Sequence, residues 1–137
     1  MTAATRLAEL GVSLPAVAAP LAAYVPAVRT GNLVYTSGQL PLAGGELIRT
    51  GKVGAEVSPE DAKAAARTCA LNALAAIDAL VGIDSVVRVV KVVGFVASSP
   101  GFSGQPGVVN GASEFLGEVF GEAGSHARSA VGVSELP

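Results

Sequence analysis

The sequence has 137 residues, with 9 Lys and Arg against 11 Asp and Glu, and a formal net charge of −2. Half the residues are hydrophobic and 15% are charged, which excludes a disordered chain, and the length suits a single domain over 1–137 with one core. Arg6, Arg29, Arg49, Lys52, Lys63, Arg67, Arg88, Lys91 and Arg128 stand singly, so no basic cluster is available to displace counterions from phosphates, and a nucleic-acid partner is disfavoured.

The apolar share comes mostly from Ala and Val, with no Trp, two Tyr and four Phe. Side chains that small fill a thin core, and with the low charge this leans toward self-association. A single cysteine, Cys69, excludes an internal disulfide or a cysteine zinc site, and agrees with a reducing cytoplasm. No basic stretch precedes an apolar run at the start, so no secretory leader is expected.

In chain order, residues 5–10 suit a short amphipathic helix stopped at Gly11. Pro15 and Pro20 then predict an irregular, extended lead-in. Residues 24–28 read as a strand, 30–32 as a turn and 33–37 as a second strand, a β-hairpin signature. Pro26 cannot donate to a ladder and places the first strand at an edge or a bulge. Residues 38–41 and the pair Gly44–Gly45 break regularity.

The strongest element is a helix over 58–81. Ser58 is a good N-cap, Pro59 fits the first helical position, and Glu60 and Asp61 complement the positive end of the dipole. Ala62, Ala66, Cys69, Ala73, Leu74, Ile77, Leu80 and Val81 recur at helical spacing, and Gly82 is the stop. Residues 85–96 are too rich in Val for a comfortable helix and read as a central strand covered on both faces. Arg88 and Lys91 interrupt this run, which is also too short to span a bilayer, so no membrane is expected. A strand after a helix that itself follows a strand implies a crossover and a partly parallel pairing.

Residues 97–107 are loop. A second helix over 108–120 presents Val108, Ala112, Phe115, Leu116 and Val119 on one side and stops at Gly121. Gly111 and Gly117 each weaken it by ~1 kcal/mol relative to Ala, so it depends on packing. Residues 127–133 form a last strand. The class is α+β, with both helices on one face of a mixed sheet.

The sequence holds no P-loop, no dinucleotide fingerprint, no His-Glu-x-x-His and no paired-cysteine motif. A Ser-His-Asp triad lacks support, since one His must serve and no Ser sits in a nucleophile elbow. An arginine opening an apolar strand does stand out. Arg128 is always charged and costly to bury unpaired. It is either exposed or structurally paired, or its planar fork binds a carboxylate bidentately. His126 lies two residues earlier and points the same way in an extended strand. It is a candidate proton shuttle, or a loop histidine bonded to backbone. Cys69 reads as a small core hydrophobe, and Glu114 with Glu118 as a solvated helix face.

The segment 127–133, Ala-Arg-Ser-Ala-Val-Gly-Val, followed by Leu136-Pro137, resembles the C-terminal signature of the RidA/YjgF family, also called endoribonuclease L-PSP. Tyr24-Val-Pro, and Gly31-Asn-Leu-Val-Tyr-Thr-Ser-Gly-Gln-Leu-Pro41, resemble that family's first hairpin and its Ser-Gly-Gln corner. Ala70-Leu-Asn72 and Asn110 also fit, in the correct order, over most of the chain after Pro20. The resemblance implies a chorismate-mutase-like α+β unit and a homotrimer with a barrel-like core and clefts between subunits. It further implies a hydrolase that converts reactive 2-imino and 2-enamino acids to 2-keto acids and ammonia, needing no cofactor and no metal. Arg128 matches the catalytic arginine that grips the substrate carboxylate, and Tyr24, Ser37, Gly38 and Asn110 match residues lining the cleft. His126 and Ala130 are accessory candidates. Ala130 stands where the active deaminases commonly carry Cys, and those enzymes continue into a further strand bearing a Glu. Either the natural chain extends beyond Pro137, which is the expectation, or this protein has lost that strand and its carboxylate. Alternatives are a trimer that binds a small carboxylate without turning it over, and, disfavoured by charge, an RNA-cleaving protein.

Overall fold

The computed structural model describes residues 1–17 and 23–137; Pro20, in the predicted lead-in, lies outside them. Helix α1 (Ala3–Glu9) begins at Thr2, whose hydroxyl accepts from the Thr5 N–H. It is held to the body by Leu7, 4% exposed, and by the Arg6 Nε–H donating to the Glu118 carbonyl at 2.8 Å.

Strands β1 (Ala27–Thr30) and β2 (Leu33–Thr36) pair antiparallel across the predicted turn. The first strand starts at Ala27 rather than at Tyr24, because Pro26 has no N–H for a ladder. Its carbonyl instead accepts from the Ser37 N–H at 2.8 Å. The predicted break at Gly44–Gly45 is a second, minimal hairpin of β3 (Leu42–Ala43) and β4 (Glu46–Leu47). Both glycines have positive φ, 61° and 83°, which is the backbone a two-residue hairpin turn requires. Asn72, a buried polar side chain, anchors this region by donating from Nδ2 to the Leu40 and Leu42 carbonyls, each at 3.0 Å.

Helix α2 (Pro59–Val81) matches its predicted limits, with the Ser58 hydroxyl accepting from the Asp61 N–H at 3.1 Å and Gly82 as the stop. By length and composition it is apolar enough to cross a membrane. Ala62, Ala70, Leu74, Ala75 and Ala76 are instead buried within the fold. Lys63 and Arg67 form ion pairs with Glu114 and Glu118, both at 3.1 Å, so α2 acts as a core helix lying on α3. Those two glutamates sit in exposed pairs, worth ~0–1 kcal/mol each. Burial pushes the half-buried Cys69 thiol up to about 12, which keeps it protonated and unreactive near neutral pH.

The predicted strand over 85–96 is β5 (Lys91–Ala97), preceded by a 3₁₀ turn at Ile83–Ser85 and an extended stretch. It runs parallel to β6 (Ala127–Val133), with Lys91 opposite Ala127 and Ala97 opposite Val133. Helix α3 (Gln105–Phe120) makes the crossover between them, as a parallel pair requires. It starts three residues earlier than the apolar pattern indicates, because Pro106 suits a first helical turn.

Two further predictions need correction. The strand is not covered on both faces: Val93, Phe95 and Val131 are 49%, 58% and 44% exposed on the side away from α3. The mixed sheet is not continuous either: the described strands form three separate two-stranded pairs, two antiparallel and one parallel. The α+β class stands, with the core in two apolar clusters. One is built around Leu74, Phe115 and Leu116, and the other around Val53, Val57, Val96 and Val109.

The two glycines of α3 differ in role. A Cβ on Gly111 would run into the Lys63 backbone carbonyl, so this position sets how closely α2 and α3 approach, whereas a Cβ on Gly117 meets nothing within 4 Å. Gly117→Ala should therefore stabilise the fold by ~0.5–1 kcal/mol through helix propensity. Gly111→Ala should destabilise it by ~1–3 kcal/mol, overpacking outweighing the same propensity gain. Urea unfolding of the two variants at equal protein concentration checks this, and midpoint shifts of the same sign would contradict it.

Candidate active site

Asn110, Ser113 and Gly117 fall at three- and four-residue spacings on α3, and so share one side of the helix. That side faces the start of β6. The chain leaves α3 at Gly121, passes through a 3₁₀ turn at Gly121–Gly124 and enters the strand. Gly124 is buried, and a Cβ there would strike the Leu116 carbonyl. Only a glycine lets the returning chain run so close to the helix. His126 and Arg128 then project toward α3, two residues apart in extended chain.

The polar contacts form a continuous line. Arg128 Nη1 donates to Asn110 Oδ1 at 2.6 Å and to Ser113 Oγ at 3.2 Å. Ser113 Oγ is 2.9 Å from His126 Nε2, and His126 Nδ1 is 2.6 Å from the Gly124 carbonyl. A carbonyl only accepts, so Nδ1 carries a proton. In neutral imidazole Nε2 is then the acceptor, and Ser113 gives its own proton to it. Among the described residues Nε and Nη2 of Arg128 make no hydrogen bond, which leaves one edge of the guanidinium as a pair of parallel donors.

The charge balance singles out the same residue. Arg6, Arg49, Lys52, Lys63 and Arg67 each meet a carboxylate. The cations without such a partner among the described residues are Arg29, Arg88, Lys91 and Arg128, and of these only Arg128 is withdrawn from solvent to a half-buried position. Next to it opens a pocket of about 340 Å³ lined by Ser113, Gly117, Gly124, Ser125, His126 and Arg128. A half-buried, hydrogen-bonded guanidinium with no carboxylate partner among the described residues has the chemistry to receive an anion.

Of the residues expected at the site, Arg128, Asn110 and His126 come together. Tyr24, Ser37 and Gly38 lie apart from them within one chain. Tyr24 precedes β1, Ser37 donates from Oγ to the Val25 carbonyl at 2.5 Å, and Gly38 has no neighbour within 4 Å of where a Cβ would stand. Ala130 is beside the site but turned into the apolar cluster of Val53, Val96 and Val108. Ser113, the link between Arg128 and His126, went unrecognised in the sequence. Its signal was a polar residue three positions after Asn110 on a helix flank otherwise apolar. No group of three or more His, Cys, Asp or Glu that would hold a metal ion occurs among the described residues.

Comparison with known proteins agrees with this architecture. Residues 4–137 match the model of the family described as "YjgF/chorismate mutase-like, putative endoribonuclease". The chain is 47% identical over 136 residues to the Trypanosoma cruzi protein TCP17, covering 98% of this chain and 85% of that protein. Among solved structures it is similar to Atu1372 of Agrobacterium tumefaciens, described as of unknown function, with 47% identity and a TM-score of 0.88 over 99% of this chain and 83% of that one. It is also similar to a Shewanella oneidensis protein described as a "putative endoribonuclease", with 34% identity and a TM-score of 0.96 over 100% and 91% of the two chains. With its helices, its parallel β5–β6 pair and its arginine-bearing last strand in this arrangement, the chain belongs to the YjgF/chorismate-mutase-like family.

Proposed function

We propose that this protein is an imine hydrolase: its pocket holds the carboxylate of a 2-imino acid on Arg128, and water converts the imine to the 2-keto acid and ammonia. The observation that carries this reading is the uncompensated guanidinium, oriented through Nη1 by Asn110 and Ser113, with its Nε–Nη2 edge left to a ligand. A carboxylate on that edge fixes the adjacent C=N carbon at a defined distance and angle. The gain is mainly positional, because a bound electrophile presented to one water avoids the entropy of a bimolecular encounter. Addition of water to C=N gives a carbinolamine, and loss of ammonia from it gives the keto acid, with no oxidant or electron carrier involved. The reaction draws on no cofactor, and a cytoplasmic setting beside amino-acid dehydratases suits it.

The same reading includes assembly as a homotrimer. Tyr24, Ser37 and Gly38 of a neighbouring copy would close the pocket that one chain leaves open. The exposed apolar strip of Val93, Phe95 and Val131 supports this, since a soluble chain gains by covering such a patch. Phe95→Asp should lower the mass seen by light scattering from three chains to one. A wild type that scatters as a monomer would contradict the assembly.

Mixing the protein with a Ser or Thr dehydratase tests the activity. Release of keto acid and ammonia should quicken when the protein is added, and an unchanged rate would count against hydrolysis. A second reading, a trimer that binds small carboxylates without turnover, is favoured by one observation. Ala130, two residues after the arginine, offers only a methyl packed into the core. Saturable binding of 2-oxobutyrate without acceleration would select it. The RNA-cleaving activity named in the family description has the net charge of −2 against it, and RNA left intact by micromolar protein would remove it.

A further inference from the structure

We propose that Ser113 and His126 form a proton relay for the attacking water, a deepening of the imine-hydrolase reading on which it rests. Three observations carry it. Both side chains line the pocket beside Arg128. The Gly124 carbonyl, 2.6 Å from Nδ1, fixes the imidazole so that the lone pair of Nε2 faces Ser113 Oγ at 2.9 Å. Arg128 Nη1 donates to the same Ser113 oxygen, which orients its lone pairs and leaves its hydroxyl proton for His126.

Neutral imidazole therefore receives the Ser113 proton, while imidazolium donates to Ser113 and turns that hydroxyl toward the pocket. The line of bonds has two directions, and interconverting them moves one proton between the pocket and His126. Such a device supplies what the imine reaction requires. Water adds to the iminium carbon as the C–O bond forms and the C=N π pair moves to nitrogen. The water's extra proton passes to Ser113 Oγ as the Ser113 proton passes to Nε2. The imidazolium then returns a proton through Ser113 to the amine of the carbinolamine. The C–N bond breaks, C=O forms, and the hydroxyl proton leaves by the same route. It ends on ammonia as ammonium, and His126 is neutral again. Ser113 is the group that touches the water, and His126 acts through it. Around His126 the charged neighbours are Arg128 across Ser113 and Arg88, whose Nη2 donates to the Ser125 carbonyl at 3.4 Å.

The 137-residue chain contains one histidine, so its nitrogen-15 spectra report on His126 without assignment. The expected result for the neutral ring is the Nδ1–H tautomer, whatever the activity of the protein. The Nε2–H tautomer would overturn the relay on its own. In the dehydratase-coupled assay, His126→Gln should lower kcat by ~100-fold, within the range of general acid–base catalysis. KM should change less than about threefold, and the acid limb of the wild-type pH–rate profile should disappear. Ser113→Ala should lose a similar factor in kcat. A His126→Gln enzyme that keeps both its rate and its acid limb would sink the relay while leaving imine hydrolysis standing. A wild type with no hydrolase activity would sink both.

Discussion

Arg128→Ala is expected to lower the affinity for 2-oxobutyrate, and kcat/KM in the coupled assay for the proposed hydrolysis, by about 100- to 1000-fold. That corresponds to ~3–4 kcal/mol, the usual cost of truncating one partner of a desolvated, hydrogen-bonded charge pair. The loss is large because the site concentrates its charge in one group. Among the described residues no other Lys or Arg lies on the pocket wall, and Asn110 and Ser113 hold Arg128 rather than replace it. Arg128→Lys should recover only part of the affinity, because an ammonium is a point charge and cannot offer two parallel donors. The fold is expected to survive either change, since the side chain is bonded at the edge of the apolar cores and forms no ion pair among the described residues. Calorimetric titration checks both variants. Equal affinity in wild type and Arg128→Ala would remove the arginine from the site.

Phe115→Ala should cost ~3–5 kcal/mol of stability and lower the melting temperature by about 10–15 °C at matched protein concentration. Phe115 is 1% exposed and packs with Leu7, Leu74, Ile83 and Leu116, where α1, α2 and α3 meet. The Arg67 guanidinium also lies 4.5 Å from the centre of its ring, a cation–π contact that the truncation removes. In a core built largely from Ala and Val, few side chains stand ready to collapse into the vacated volume, which places the change toward the upper end of the range. Differential scanning calorimetry measures it, and a shift under about 4 °C would mean that the three-helix junction contributes less than its burial indicates.

The elements legible in the sequence are those whose ends carry their own chemistry. Helix α2 is bounded by Ser58, Pro59 and Gly82, and each acts locally, so its limits follow without knowledge of the rest. Strand β6 lies between a glycine-rich turn and Ser134, and its two-residue period already put His126 and Arg128 on one side. Strand β5 is different, because a run of Val does not say where pairing begins. The partner strand decides that. Residues 86–90 extend past the first rung of the ladder, and Val89 bonds instead to the Ala123 carbonyl at 2.8 Å. The β3–β4 hairpin escaped notice because two-residue strands leave no period to read. The spacing of Ser113 from Asn110 marked one helix flank, but its link to Arg128 and His126 depended on a tertiary fact, the close return of the chain past α3 that Gly124 permits. Tyr24, Ser37 and Gly38 form a third kind of case: they lie away from Arg128 within one chain, and their proposed place is the pocket of a neighbouring copy.

The central claim is that Arg128 receives a carboxylate through its Nε–Nη2 edge, in a pocket that a second copy completes. A crystal structure grown with 2-oxobutyrate tests it most directly. The expected result is the carboxylate bridging Nε and Nη2, with Asn110 and Ser113 still on Nη1 and Tyr24, Ser37 and Gly38 of an adjacent copy around the ligand. A 2-oxobutyrate bound elsewhere, or an acidic side chain of an adjacent copy occupying that edge of Arg128, would contradict it.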